Sequence, residues 1–458
     1  MAEALSPSDL SAIQAERGPV HMDVGGVLVF DGRIDRERVA RRVRERIHLL
    51  PRYAMRLDSA PLGLANPVWV EDDSFDPDRH VRRAALPAPG GDDELCELVG
   101  HAMSERLDRS RPLWQLLVVE GLGGGRSALV ARMHHSLVDG IAAVDVSTVI
   151  LDPSRESLDL PPPPQDEATE PRRDRRVEQL GRLAAAQLQT PRKLARETVA
   201  RALAFDPREA TAQVRDSASV LRELARVRPT APDTRLNAEI GRERLFALAR
   251  GRLDDVKALR RAAGATVNDV LLAAVALMLS DYLGEEAPEK VVALVPVSVR
   301  PDSTRGELGN HISTVFVDLP LRGEPLDRVR EISEAMESAK QSAQVRAGAL
   351  IVGATGLAPP IVSSVAVRAI SGPHLFNLVV SNVPGPQQTF YLDGVALREV
   401  FPAVPLNPRN QALSIGILSY DGGVGFGLLA DRDALPDVAE AAAGVERALD
   451  ELRSAASA

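Results

Sequence analysis

The first 150 residues mix two spacings of apolar and polar positions. The segment HMDVGGVLVF is apolar and rich in valine, which predicts a buried strand. IDRERVARRVRERIHLL carries apolar residues at helical spacing between arginines, which predicts an amphipathic helix. Four more segments predict two strands, a turn leading into a strand, and a helix: PVWVEDD, PLWQLLVVEGL, GLGGGRSALVARMHH and DGIAAVDVSTVILD. Strands and helices mixed in this way predict an α/β sandwich.

The second half of the chain repeats this mixture. RLDDVKALRRAAGATVNDVLLAAVALMLSDYLG predicts two helices separated at Gly264, with Thr266 or Asn268 capping the second helix. Strands are predicted by VVALVPVSVR, HISTVFVDLPL, LFNLVVSNV and ALSIGILSYDGGVGFGLLA. The last segment predicts a hairpin that turns at Asp421, Gly422 and Gly423. The two halves therefore belong to the same structural class.

Composition divides the chain into three parts. Its 458 residues suit two domains of about 200 residues each. A Pro-rich, acidic stretch begins near residue 153, and residues 171–230 then carry 14 basic and 7 acidic side chains. We predict an N-terminal domain over 1–152, a linker and basic helical connector over 153–232, and a C-terminal domain over 233–458. The connector is either a solvated link between the domains or a basic surface that contacts an anionic membrane or lipid droplet.

Composition also excludes several classes of function. An aromatic content of 3% and a net charge of -9 argue against a nucleic-acid partner. The single cysteine, Cys96, lies in the predicted helix DDELCELVG and is interpreted as a packed thiol; one cysteine cannot make a disulfide within the chain or a cysteine-based metal site. The sequence has neither a secretory signal pattern nor an unbroken apolar run long enough to span a membrane. We expect a cytoplasmic protein whose membrane contact, if any, is peripheral.

The candidate chemistry lies at the end of a predicted strand, where His134 and His135 are followed by Asp139 and Gly140. Successive side chains on a strand point to opposite faces, so only one of the two histidines can face a given cleft. A neutral imidazole can take a proton from a hydroxyl group at neutral pH and return it to a leaving group. Two other interpretations are a pair of hydrogen-bonded core histidines and a metal site, and the second has too few converging ligands.

The motif HHSLVDG, residues 134–140, resembles the signature of the CoA-dependent acyltransferase superfamily. RPLWQLLVVEGL (111–122), TVNDVLLA (266–273) and SNVPGP (381–386) resemble blocks of one branch, the wax ester synthase/diacylglycerol acyltransferase family. Four further stretches follow the order of that family: LSPSDLSAIQAERGPVHMDVGGVLVF, LNAEIGRER, PVSVRPDSTRGELGNHIS and SYDGGVGFGLLAD. The resemblance covers nearly the whole chain.

This resemblance implies a fold and a catalytic base. It implies two α/β sandwich domains similar to chloramphenicol acetyltransferase, with the active site in the cleft between them. His135 would be the general base, and no acyl-enzyme would form. Asp139 would orient the site through an ion pair with Arg300, although Arg300 is also interpreted as a surface arginine at the end of a strand. His134 is interpreted as structural, and Gly140 as allowing close packing of the helix.

Four polar residues of the second half have two interpretations each. Asn268 and Asp269 either cap a helix or line the acyl or oxyanion site. Ser381 and Asn382 precede a turn fixed by the prolines of SNVPGP, and they either shape that loop or donate hydrogen bonds to the oxyanion or the CoA arm.

The function implied is transfer of an acyl group from acyl-CoA to diacylglycerol, to a long-chain alcohol or to both. Two alternatives stay open: an O-acyltransferase for another hydroxyl acceptor, such as a polyketide or glycolipid, and a lipid-binding relative without catalysis. The partners expected are acyl-CoA and a lipid acceptor. No metal or other cofactor is expected.

Overall fold

The computed structural model describes residues 2–5, 7–16, 18–58, 67–137, 150–156, 231–298, 312–353, 375–407 and 411–457. The helices are α1 Pro7–Ala15, α2 Arg36–Arg46, α3 Asp92–Ser104, α4 Leu253–Ala263, α5 Val267–Leu283, α6 Pro325–Gly353 and α7 Val438–Ser457. The strands are β1 Ala2–Ala4, β2 Asp23–Phe30, β3 Met55–Asp58, β4 Val68–Glu71, β5 Val81–Ala85, β6 Trp114–Glu120, β7 Ser127–His134, β8 Arg244–Arg252, β9 Lys290–Ser298, β10 Ile312–Pro320, β11 Leu378–Pro384, β12 Tyr391–Leu392, β13 Val395–Ala403, β14 Leu413–Tyr420 and β15 Gly423–Asp431.

Local signals begin and end these elements, at Gly264 and in the turn after β14 as the sequence predicts. Asp35 caps α2 by accepting a hydrogen bond of 2.9 Å from the Arg38 amide. Gly264 ends α4 with a left-handed φ of 66°, a conformation that favours glycine. The β14–β15 hairpin turns through Asp421 and Gly422, whose φ angles are 43° and 81°, which matches the turn that suits a two-residue hairpin.

The first sheet has the order β12-β13-β2-β7-β6-β5, and only the pair β5–β6 is parallel. β7 lies in the interior of this sheet, between β2 and β6. Its last residue, His134, lies opposite Asp23 in the antiparallel register with β2. The histidine pair is therefore placed at the end of an interior strand, where the backbone is held from both sides.

The second sheet has the order β10-β9-β11-β14-β15-β8, with β11 parallel to both of its neighbours. A small third sheet, β1-β4-β3, completes the strands of the described residues. Both large sheets are mixed and mainly antiparallel. The two-sheet α/β architecture confirms the predicted fold class.

Strands β12 and β13 come late in the chain but belong to the first sheet, where β13 pairs with β2. β13 also lies directly against the second sheet. A Cβ atom added to Gly427 would lie 1.8 Å from the Pro402 carbonyl oxygen, and one added to Gly425 would lie 2.1 Å from that of Val400. The alternating glycines of β15 thus let the backbones of the two sheets touch. The domain boundaries drawn from composition stay a prediction, but one hairpin crosses from the later part of the chain to the earlier sheet.

The apolar core of the second half surrounds α5. Every residue from Asp269 to Leu279 in this helix is buried. Among the described residues, one helix, Val267–Glu286, is long and apolar enough to span a membrane, with a mean hydropathy of 1.4. Since 61% of that window is buried against the rest of the protein, its apolar character is explained by its place in the core.

Two sequence predictions fall outside the described residues. Most of the predicted helix DGIAAVDVSTVILD, up to residue 149, lies outside them, and so does the basic stretch 171–230 of the connector. Cys96 does lie in a helix, α3, and is partly buried. Burial and nearby Asp92 raise the pKa of its thiol to about 12, which fits a packed thiol rather than a nucleophile.

Candidate active site

The two histidines at the end of β7 have opposite environments. The His134 side chain is only 3% exposed. His135 begins a short 3₁₀ turn, His135–Leu137, and is exposed. The alternation expected from a strand therefore separates a buried histidine from an accessible one.

Contacts to the His134 ring identify its tautomer. The Ser136 backbone N–H donates to Nδ1 at 3.1 Å, and the Ser136 hydroxyl lies 2.7 Å from the same nitrogen. An amide N–H can only donate to a nitrogen that carries a lone pair, so Nδ1 is unprotonated. The ring proton therefore lies on Nε2, which donates to Glu16 Oε1 at 3.0 Å.

Glu16 follows α1 and is largely buried, with a side chain 5% exposed. Besides His134, its Oε1 accepts the Met22 amide at 2.8 Å, while its Oε2 pairs with Arg109. Burial raises the pKa of Glu16, but the hydrogen bonds from His134 and Met22, together with electrostatic contributions from His134 and Arg109, outweigh it and lower that pKa to about 2. Glu16 is thus a carboxylate at neutral pH.

The backbone of His135 is held by the same segment. Its N–H donates to the Met22 carbonyl at 2.8 Å. Met22 therefore bonds to His135 through its carbonyl and to Glu16 through its amide, while Glu16 bonds to the ring of His134. Three hydrogen bonds and the peptide bond between His134 and His135 thus join these four residues in a closed hydrogen-bond ring at the point where β7 ends.

A small apolar cavity lies beside β7, between α2 and the first sheet. Its lining residues are Val43, Ile47, Leu50, Tyr53, Trp114, Leu116, Arg132, Met133 and Ile150. Arg132 is the one charged residue among them, and its guanidinium bonds to Asp23 at 3.1 Å. Met133 precedes His135 by two residues, so the cavity adjoins the strand that ends at the accessible histidine.

In the second half, the structure joins two of the predicted site residues. Asn382 Nδ2 donates to Asn268 Oδ1 at 3.0 Å, which links β11 to the start of α5. Ser381 lies beside Asn382 on β11, in parallel register with Gly416 of β14. The turn of SNVPGP begins after the strand ends at Pro384.

The interpretation of Asn268 as the helix cap is wrong. Thr266 is the cap: it accepts from the Asp269 amide at 3.2 Å, and Asp269 in return accepts from the Thr266 amide at 2.9 Å. A threonine hydroxyl and a carboxylate three residues on form a reciprocal capping pair. Asn268 is therefore available for its bond to Asn382. Asp269 is buried, and its Oδ1 has no hydrogen-bond partner among the described residues.

Three predicted site residues, Asp139, Gly140 and Arg300, lie outside the described residues. The ion pair of Asp139 with Arg300 thus stays a prediction. Among the residues that the structure describes, no group of three or more His, Cys, Asp or Glu side chains could hold a metal ion.

No sequence pattern predicted Glu16 or Met22 as part of the site. His134 and Glu16 are 118 residues apart, and no local period or motif connects them. A buried carboxylate needs a partner, so the acidic residue Glu16 within LSAIQAERG was the only available signal.

Two family models cover most of the chain. The model of the wax ester synthase/diacylglycerol acyltransferase catalytic domain matches residues 5–271, and that of the C-terminal domain of the same family matches residues 308–453. The chain belongs to this family. It is accordingly an acyltransferase.

Curated relatives of similar length are named as acyltransferases. The chain is 34% identical over 405 residues to a probable diacylglycerol O-acyltransferase, tgs2, of Mycobacterium tuberculosis H37Rv, covering 86% of this chain and 85% of the relative. It is 30% identical over 466 residues to a second such protein of that strain, tgs1, covering 98% and 95%.

Solved structures support the fold. The wax ester synthase/diacylglycerol acyltransferase of Marinobacter aquaeolei VT8 superposes with a TM-score of 0.69 at 28% identity, covering 99% of this chain and 100% of that one. The first condensation domain of the CDA synthetase superposes with a TM-score of 0.56 at 18% identity, covering 100% and 96%, and shows a shared fold alone.

Proposed function

We propose that this acyltransferase moves a fatty acyl group from acyl-CoA to the hydroxyl group of diacylglycerol or a long-chain alcohol, with His135 as the general base. The observation that carries the proposal is the contrast within the histidine pair. His134 is buried and its ring contacts Ser136 and Glu16, and His135 is exposed on a backbone that bonds to Met22. An accessible, positioned imidazole is what proton transfer from an acceptor requires.

In the proposed reaction, the ring of His135 takes the proton of the acceptor hydroxyl. The acceptor oxygen attacks the thioester carbonyl, and a tetrahedral oxyanion forms. When this intermediate collapses, the carbon–sulfur bond breaks and His135 returns the proton to the CoA sulfur. The products are an ester and free CoA, and the base ends the cycle in its starting state.

Supporting roles are proposed for both halves. Asp139 would orient the site through Arg300, with Gly140 allowing close packing. Asn382 uses one amide hydrogen on Asn268, which leaves its second hydrogen for a developing oxyanion or the CoA arm, with Ser381 beside it. Asn268 would then act by orienting the Asn382 amide, and Asp269 by capping the helix below it.

The apolar side chains that line the small cavity beside β7 fit contact with an acyl chain near His135, although the cavity itself is too small to enclose such a chain. Eight of its nine lining residues are Val, Ile, Leu, Met, Tyr or Trp. Apolar linings of this kind bind hydrocarbon by removing it from water. The mycobacterial relatives named diacylglycerol O-acyltransferases fit the same choice of substrate.

A peripheral contact with a membrane or lipid droplet is also proposed, because both substrates of a lipid acyltransferase partition into lipid. The 14 basic side chains of residues 171–230 supply the charge for an anionic surface. Flotation of the full chain with anionic and with neutral vesicles tests this contact. Equal recovery with both vesicles, or binding that persists in high salt, would contradict an electrostatic one.

The decisive experiment measures release of CoA thiol from palmitoyl-CoA, with hexadecanol and a diacylglycerol offered separately and the esters identified. His135→Ala should lower the rate by roughly 10²- to 10⁴-fold, the range of general acid–base catalysis. His101→Ala, which removes an exposed histidine on α3 of the same half, is the matched control and should keep wild-type activity. Full activity in a folded His135→Ala variant would overturn the role of the base.

If neither lipid acceptor is turned over, the two alternative functions, a different hydroxyl acceptor or lipid binding without catalysis, are favoured. Acceptor-independent binding of acyl-CoA without thiol release would favour a non-catalytic lipid-binding relative. Activity restored by a polyketide or glycolipid hydroxyl would favour another acceptor.

A further inference from the structure

We infer that Glu16 is a positioning residue for the reaction: its carboxylate holds the His134 ring and the Met22 backbone in the one arrangement that fixes the position of His135. The inference rests on the proposed function of His135. Glu16 itself touches no reacting atom. Its effect on the reaction would pass through the hydrogen-bond ring described above.

The first step is the geometry of one oxygen atom. Glu16 Oε1 accepts both the His134 Nε2–H, at 3.0 Å, and the Met22 N–H, at 2.8 Å. A carboxylate oxygen has two lone pairs, so these two bonds fill it. Both bonds are partly buried, which makes each stronger than an exposed one and makes loss of the acceptor costly.

The second step is that both partners of this oxygen flank His135. Met22 accepts the His135 N–H at 2.8 Å, so a shift of Met22 shifts the backbone from which the base projects. His134 precedes His135 directly, and its Nδ1 accepts the Ser136 N–H at 3.1 Å. His134 and Ser136 flank His135, and both are therefore held through the imidazole of His134. That imidazole is in turn hydrogen-bonded to Glu16.

The third step concerns protonation. Because the Ser136 amide N–H donates to Nδ1, the tautomer that fits these contacts carries its hydrogen on Nε2, where Glu16 accepts it. If Glu16 is removed, the ring loses the acceptor that specifies this tautomer and the turn of His135–Leu137 loses its anchor. The tautomer of His134 and the anchoring of the turn depend on the position of an acceptor oxygen, and not on the negative charge of Glu16 alone.

Two substitutions of Glu16 separate the role of its charge from the role of its acceptor oxygen. Glu16→Ala removes the oxygen. Glu16→Gln keeps an oxygen that can accept from His134 and Met22 while losing the charge that faces Arg109, a residue whose side chain is 49% exposed and can turn to solvent. Glu120→Ala is the matched control, because Glu120 also pairs with an arginine, Arg83, but lies at the far end of β6.

The experiment combines kinetics with NMR of ¹⁵N-histidine-labelled full-length protein. For Glu16→Ala we expect a loss of kcat of about 30-fold or more, with KM for palmitoyl-CoA within about threefold, since general-base geometry affects the chemical step. Glu16→Gln should recover kcat to within about fivefold of wild type, as should Glu120→Ala. The wild-type His134 signal, assigned by its absence in a His134→Gln variant, should report an Nε2–H ring, and Glu16→Ala should lose that pattern.

The outcomes separate this inference from the proposed function. If wild type is inactive or His135→Ala is fully active, the function of His135 fails, and the NMR pattern alone still decides whether Glu16 sets the His134 tautomer. If wild type and His135→Ala behave as proposed, three results overturn the inference. They are a Glu16→Ala effect confined to KM, a Glu16→Gln loss as large as that of Glu16→Ala, and an unchanged His134 tautomer in Glu16→Ala.

Discussion

The two halves of the protein are stabilised by different interiors. The first half buries charged groups: Asp152 lies between Arg46, at 2.6 Å, and Arg42, at 3.0 Å, and all three side chains are at most 4% exposed. The second half packs apolar side chains around α5. Its one buried ion pair among the described residues, Arg244 with Asp431, lies at the start of β8, where Arg244 also contacts the Pro19 carbonyl of the first half.

This difference matches the tasks of the two halves. Ion pairs and hydrogen bonds have a fixed geometry, so they hold a backbone segment and its neighbours in one arrangement. An apolar core tolerates many packings of similar volume and supplies stability with less geometric detail. The first half, which presents His135, relies on buried ion pairs and hydrogen bonds. The second half, which supplies the capped helix and the Asn268–Asn382 bond, relies on apolar packing.

Breaking the buried charge cluster should have the largest effect. Asp152→Ala leaves Arg46 buried without this partner, and we expect the free energy of unfolding to fall by about 3–5 kcal/mol. Urea unfolding of the full chain followed by circular dichroism measures it. Asp78→Ala is the control: its partner Arg44 is exposed, so the change should stay below about 1 kcal/mol. Equal losses in both variants would remove the distinction between buried and exposed pairs.

Opening a cavity in the second half should have the next largest effect. Leu272 on α5 is 1% exposed, and Leu272→Ala should lower the free energy of unfolding by about 2–5 kcal/mol. Leu272→Met keeps the volume and should lower it by less than about 1.5 kcal/mol. The same unfolding assay, run beside Asp152→Asn, sharpens the comparison. Both substitutions are nearly isosteric, but Leu272→Met should be tolerated in the apolar core whereas Asp152→Asn should not be tolerated in the buried charge cluster.

Separating the two sheets at their contact should have a smaller effect. Gly427→Ala places a methyl group against the Pro402 carbonyl, and the resulting shift of β13 should lower the free energy of unfolding by about 1–3 kcal/mol. Gly423→Ala on the same strand meets its nearest atom at 3.3 Å and serves as the control. If thermal unfolding does not distinguish the two variants, β13 is not held by the second sheet.

The smallest predicted effect is a dependence of stability on acid. The pKa of Glu16 is lowered from 4.5 to about 2 in the folded protein, so its ionised form stabilises the fold above pH 4.5, and this contribution is lost as the pH falls toward 2. The stability difference between wild type and Glu16→Gln should therefore shrink by about 1 kcal/mol between pH 4.5 and 3.5. Urea unfolding of both proteins at these two pH values measures it, and a constant difference would contradict the lowered pKa.

The sequence by itself determined the elements and the family. Valine-rich runs, helical spacing at α2, the glycine after α4 and the Asp421–Gly422 turn act over a few residues, so local pattern is enough to find them. The motif HHSLVDG identified the histidine pair in the same way, and the alternation of a strand indicated that only one of the two could face a cleft.

Tertiary structure decided which partners these residues have. Glu16 reaches His134 across 118 residues, Asn382 reaches Asn268 across 114, and β13 crosses to the first sheet to pair with β2. No period or spacing in the sequence predicts these contacts, because each depends on how separate elements pack. A buried donor or acceptor must find a partner in the folded chain, but the identity of that partner is set by the packing and not by the neighbouring sequence.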